Sequence, residues 1–350
     1  MEDVTLLAID IAKTVFQLHG LNKKGKCVLK KRLSREKLVE YINPLPSCRI
    51  VMEACGSANY WSRVFKRWGH EVNLISPQYV KPFVKGNKTD RNDSEAIAEA
   101  ASRPLMRYVK AKTVEQQDIQ CLLRIRAQLI AERIALSNQT RGFLAEYGVI
   151  LNQGARAFRQ GIPLVLEDAE NELSDLMREH VQRLYERFCA LEKEIVFYDQ
   201  VIRQVVKQSE TAQRITQIEG VGPIIAAAIL SLGDLKRFKN GRHFSAFLGL
   251  VPREKSSGHK QIRLGMSKRG DVYLRQILMH GSRSVLLRIN KKQTTQSAWL
   301  KNLVAHKGMN RATGALANKI ARHIWAVVAQ ECEYDRNRGY GIQKMDSASA

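Results

Sequence analysis

The chain has little that could hold it together other than packing. Its six cysteines (27, 48, 55, 121, 189 and 332) include no Cys-x-x-Cys pair, and its eight histidines show no zinc-finger spacing. Neither a disulfide framework nor a structural zinc is expected, and a reducing cytoplasm fits. No apolar run approaches the ~20 residues of a membrane span, and the N-terminus enters a strand-like run almost at once, so no span or secretory leader is expected. Acids are scarce where cations are dense. Residues 236–325 carry 20 Lys or Arg against only two acids, Glu254 and Asp271.

What the chain does have is positive charge. Its 350 residues hold 57 Lys or Arg against 34 Asp or Glu, a formal charge of +23. Such a surplus suggests a polyanionic partner, because neutralised phosphates release counterions on binding. The plainer alternative is a soluble protein that is merely basic. The length suffices for two or three domains with their own cores.

Residues 1–110 alternate between strand and helix patterns. Val4–Ile9, Phe16–Leu21 and Cys27–Leu33 read as three short strands, with turn signals at Gly20 and Lys23-Lys24-Gly25. A helix is predicted over Ser34–Ile42 with Ser34 as its N-cap, then strand Arg49–Glu53, helix Tyr60–Trp68, strand Val72–Ser76 and a helical segment from Pro77. Three meandering strands followed by alternating helices and strands match an RNase H-like domain, in which Asp10 and Glu53 would lie side by side. Residues 111–210 have long helical periodicity. Leu173, Met177, Leu184, Phe188, Leu191, Ile195, Tyr198 and Ile202 recur in heptad-like steps, which suggests a coiled coil and self-association. Leu122, Ile125, Leu129 and Leu136 suit either its antiparallel partner or a subunit contact. Residues 211–335 read as a basic, mostly helical region, and 336–350 as a flexible tail.

Four acids stand out. Asp10 and Glu53 close apolar strands, while Asp90 and Asp93 open a helical stretch in Lys88-Thr89-Asp90-Arg91-Asn92-Asp93. Carboxylates at strand ends and a helix start can converge to bind Mg²⁺ for phosphodiester chemistry. Taken singly, each is as well explained as a strand-end acid, a helix cap or a first-turn acid. Glu95 and Glu99 continue the same helix as lesser candidates.

Three further motifs lie downstream. In Ile218-Glu219-Gly220-Val221-Gly222-Pro223, Gly220 and Gly222 give a helix-hairpin-helix signature, whose backbone N–H groups can meet a phosphate without reading sequence; a plain helix turn is the alternative. The run Pro252-Arg253-Glu254-Lys255-Ser256-Ser257-Gly258-His259-Lys260 could present a hydroxyl to a phosphate, although a solvated loop serine is the simpler reading. Arg253, Lys255, Lys260, Arg263, Lys268 and Arg269 are candidate nucleic-acid contacts. Beyond them, cations punctuate an apolar helical pattern in which Tyr273 and Trp299 fit a core.

In this order the motifs resemble the insertion-sequence 110 family of transposases, and within it the insertion-sequence 1111 subgroup, over nearly the whole chain. A strand ending in Asp, a strand ending in Glu-Ala-x-Gly and a Lys-x-Asp-x-x-Asp helix start are similar to the family's RuvC-like domain; Cys55 varies the spacer. The hairpin glycines, Phe-x-Gly-Leu-x-Pro and the Ser-Gly followed by Met-Ser-Lys-x-Gly are similar to its transposase domain. The resemblance implies a site-specific DNA recombinase that excises and inserts its own element. It also implies that Asp10, Glu53, Asp90 and Asp93 bind Mg²⁺, or Mn²⁺ in its place, and that Ser257 is the nucleophile, with Ser256 as the alternative if the loop register slips by one. It further implies guidance by a structured bridge RNA that pairs with donor and target DNA, dimers that associate into tetramers with one subunit's acids opposite another's serine, and a location at the bacterial nucleoid. Two rivals remain from the residues alone: a RuvC-type, Holliday-junction or structure-selective nuclease using water, and a non-catalytic architectural protein. A DNA inversion enzyme on the same fold is a variant of the main reading.

Overall fold

The structure is a computed structural model that describes residues 4–85, 90–258, 262–291, 295–334 and 342–343. The chain resolves into two compact units, Met1–Val114 and Glu115–Ala350.

Short apolar runs, buried on both faces, build the sheet of the first unit. Its elements are β1 (Leu6–Ile11), β2 (Val15–Leu21), β3 (Cys27–Ser34), α1 (Arg35–Ile42), β4 (Arg49–Glu53), α2 (Ala58–Arg67), β5 (Glu71–Ile75), α3 (Pro77–Val80), α4 (Asp90–Ala101) and β6 (Tyr108–Val109). The sheet order is β3-β2-β1-β4-β5-β6, with an antiparallel meander β1–β2–β3 and β4 and β5 added in parallel to β1. Ser34 does cap α1, its hydroxyl accepting from Lys37 N at 3.4 Å. On one face of the sheet Leu7, Ile9, Ile50 and Met52 pack with Trp61 and Phe65 of α2. On the other, Ala8, Val51 and Ile75 meet Ala96, Ile97 and Ala100 of α4. Small residues on both sides of that second interface let the helix lie close to the strands.

The second unit is mostly helical. It contains α5 (Val114–Ala145), α6 (Ala155–Glu167), α7 (Asp175–Gln208), α8 (Glu210–Thr216), α9 (Pro223–Leu230), α10 (Gly241–Phe247), β7 (Pro252–Glu254), β8 (Arg263–Met266), α11 (Val272–Leu287), α12 (Thr295–Lys307), α13 (Met309–Ala329), β9 (Glu333–Tyr334) and β10 (Ile342–Gln343). Ion pairs Arg126–Asp199 at 2.6 Å and Arg133–Glu192 at 3.3 Å set α5 and α7 antiparallel within one chain. α6 packs onto this pair through Phe158, whose ring centroid lies 4.6 Å from that of Phe188. The heptad-like positions Leu173, Phe188, Leu191, Ile195 and Ile202 are buried.

Leu123, Ile202 and Val206 of the long helices join the core formed around α9, α11 and α13. The stretches read as separate regions on either side of residue 210 therefore lie in one unit. Within the expected tail, β10 pairs antiparallel with β9; the rest of 335–350 lies outside the described residues. No helix among the described residues is long and apolar enough to cross a membrane.

Candidate active site

Strand register brings two of the four acids together. β1 and β4 run parallel, with Leu6 opposite Arg49 and Ile9 opposite Met52, so the same register sets Asp10, the penultimate residue of β1, beside Glu53, the last of β4. Alternation puts both on the face of Ala8 and Val51, which α4 covers. The direction of α4 follows from its other end. The Ala101 carbonyl accepts from Tyr108 Oη at 3.1 Å, and the Tyr108 ring lies 5.0 Å from the guanidinium of Arg49, the first residue of β4. The first turns of α4 therefore lie at the acid end of the strands. Asp93 is half-buried and sits one turn before the buried Ile97, on the stripe that faces the sheet. Asp90 opens the helix; its side chain lies outside the described residues.

The site carries a negative potential. The Cys55 thiol is pushed above its ordinary range first by burial, then by the charges of Glu53 and Asp10. Sequence reasoning treated Cys55 as a spacer; its placement beside both acids needed the strand register. Among the described residues, which do not include the Asp90 side chain, no three His, Cys, Asp or Glu side chains form a metal-binding group. The two adjacent carboxylates, Asp10 and Glu53, are hard oxygens of the kind Mg²⁺ takes, and Asp93 does not join them in one group. The lesser candidates are engaged elsewhere: Glu95 pairs with Lys30 at 3.7 Å, and Glu99 pairs with Lys85 at 3.7 Å and with Arg103.

The serine loop is the tip of a two-stranded hairpin. Pro252 faces Met266 and Glu254 faces Arg263, and Lys255 N donates to the Ile262 carbonyl at 2.9 Å. Ser257 is exposed at the tip, followed by Gly258 at φ 56°. Ser256 donates its hydroxyl to Glu254 Oε1 at 2.7 Å. Nothing in the sequence signalled that pairing beyond the two-residue spacing. Below the tip two backbone segments cross. Lys268 N donates to the Gly249 carbonyl at 3.1 Å, and a Cβ at Gly249 would run into the Arg269 carbonyl oxygen. Arg253, Lys255, Lys268 and Arg269 are exposed around this stem. Lys260 and the Arg263 side chain lie outside the described residues.

α8 and α9 flank a tight turn in which Val221 N donates to the Ile218 carbonyl at 2.9 Å. Gly220 takes φ 87°, and Gly222 caps α9 in extended conformation. A cavity of about 560 Å³ opens beside this turn, with Arg126, His280 and Ser284 on its wall. Tyr273 is half-buried against the core, as expected. Trp299 is not: it is 37% exposed, with Lys319 Nζ 4.4 Å above its ring.

Comparison with known proteins bears on this arrangement. Residues 212–298 match the family described as the IS116/IS110/IS902 family of transposases, and residues 7–149 match a second transposase family. The chain is 46% identical over 335 residues to the transposase for insertion sequence element IS1111A of Coxiella burnetii, covering 95% of this chain and 92% of that protein. It is 37% identical over 331 residues to the transposase for insertion sequence element IS1328 of Yersinia enterocolitica, covering 94% and 98%.

Proposed function

Because the chain belongs to the IS110/IS116 family of transposases, enzymes that cut and rejoin DNA, we propose that it joins strands through Ser257, with Asp10, Glu53, Asp90 and Asp93 binding metal at the scissile phosphate. The observation that carries this reading is Asp10 beside Glu53, at the sheet end where α4 begins. The meander with a parallel strand added beside its first strand supports assigning the domain to the RNase H-like, RuvC-like class. Mg²⁺, or Mn²⁺ in its place, would supply charge neutralisation at the phosphate when bound by these acids.

In the proposed chemistry Ser257 Oγ loses its proton and bonds to phosphorus, and the bond to the 3′ oxygen breaks. A 5′-phosphoserine and a free 3′-hydroxyl result, so the bond energy is conserved until another 3′-hydroxyl displaces the serine. The exposed position of Ser257 at a hairpin tip suits an approach to a strand. The exposed Arg253, Lys255, Lys268 and Arg269 would hold neighbouring phosphates, and the turn at Gly220 and Gly222 is read as a helix-hairpin-helix backbone contact. Sequence choice is assigned to a bridge RNA from the element's non-coding end, and assembly to dimers that associate into tetramers. The formal charge of +23 supports a partner set of DNA and RNA.

The test is recombination between donor and target plasmids, with the flanking RNA co-expressed or omitted. Wild type and Ser256→Ala are expected to give joined products. Ser257→Ala and Asp10→Ala are expected to give none, as is wild type without the RNA. Cleavage that needs Asp10 but neither serine would mean a nuclease that uses water.

A further inference from the structure

The sheet carries a cation in line with the acids that the chemistry above does not use. Asp10 is paired with Gln17 across β1 and β2, and Gln17 with Arg32 across β2 and β3. With Glu53 beside Asp10, one cross-strand row therefore reads Arg32, Gln17, Asp10, Glu53. Residues in such a row project from the same face, and two strand spacings put the Arg32 and Asp10 Cα atoms about 10 Å apart. β3 is an edge strand and Arg32 is exposed. The same face of β3 carries Lys30, which pairs with Glu95 of α4. Lys31 lies on the opposite face, its Nζ 4.1 Å above the Tyr41 ring.

Cations on an edge strand also discourage edge-to-edge pairing. That role would make Arg32 and Lys31 equivalent, since it depends on edge charge and not on face. Alignment with the acids separates them. A strand whose scissile phosphate sits at Asp10 and Glu53, if it runs across the sheet, brings a neighbouring phosphate over Arg32, whose guanidinium can grip it bidentately. We propose that Arg32 is a positioning residue for the DNA strand being cut, holding a phosphate close to the scissile one. This rests on the reading of Asp10 and Glu53 as the acids at the reacting phosphate.

The experiment uses the full chain as wild type, Arg32→Gln, Arg32→Lys, Lys31→Gln and Asp10→Asn. With the element's flanking RNA bound, binding to a labelled duplex of the element's own end is measured against salt, and cleavage against DNA concentration. Arg32→Gln is expected to weaken binding about tenfold, to lower the salt slope by about one and to raise KM more than it lowers kcat. Arg32→Lys should recover most of the binding, and Lys31→Gln should match wild type. The proposal is overturned if Arg32→Gln behaves like wild type, if Lys31→Gln loses as much, or if the loss falls on the element's non-coding RNA and not on the duplex. Asp10→Asn separates the layers. Cleavage that survives it removes the acid reading and Arg32's role with it, whereas its loss beside a normal Arg32→Gln removes only the positioning role.

Discussion

Single residues here take their chemistry from neighbours distant in sequence. Asp10 and Glu53 are ordinary strand-end acids until the parallel register sets them together. His323, in the other unit, owes its shift first to burial in the core. Burial, with Lys319 and Arg322 nearby, lowers its imidazole from 6.5 to about 4 in the folded chain. Between those values the unfolded chain holds the extra proton, so stability rises with pH across the interval. The contribution is complete above 6.5 and is lost as pH falls toward 4, a difference on the order of 3 kcal/mol. His323→Leu should therefore narrow the gap in melting temperature between pH 7 and pH 5. Parallel losses in the variant and wild type would contradict the assignment.

At the scale of elements, the β7–β8 hairpin depends on the crossing beneath it. Gly249 has φ 71°, and both its conformation and the Arg269 carbonyl leave no room for a Cβ. Gly249→Ala should cost at least about 2 kcal/mol in thermal or denaturant unfolding. It should also reduce strand joining far more than DNA binding, because it displaces the serine tip. Equal losses of both would mean that the crossing does not serve the tip. The strands carrying Asp10 and Glu53 and the Ser34 cap were legible in the sequence because short apolar runs and capping are local signals. The glycine crossing, the Arg126–Asp199 and Arg133–Glu192 pairs that join α5 to α7, and the packing of α6 were not, because each joins segments that local periodicity cannot relate. The acids were legible as candidates and the strand order already placed Asp10 beside Glu53, whereas the row extending to Arg32 needed two successive pairings.

At the scale of the whole molecule, the acids and the serine hairpin belong to different units, and most of the net charge of +23 sits in residues 236–325, with 20 Lys or Arg against two acids. If binding engages 6–10 phosphates, raising salt from 50 to 200 mM should weaken DNA affinity by about 10³–10⁵-fold. A nearly flat dependence would show that the charge serves something other than phosphate binding. The central claim is the covalent one, and its most direct measurement is to denature a reaction on element-end DNA, digest the trapped protein–DNA adduct and locate the modified residue by mass spectrometry. The account predicts a 5′-phosphate ester on Ser257. A phosphate on Ser256 would move the nucleophile by one residue, and cleaved DNA with no protein-linked phosphate would contradict the serine mechanism altogether.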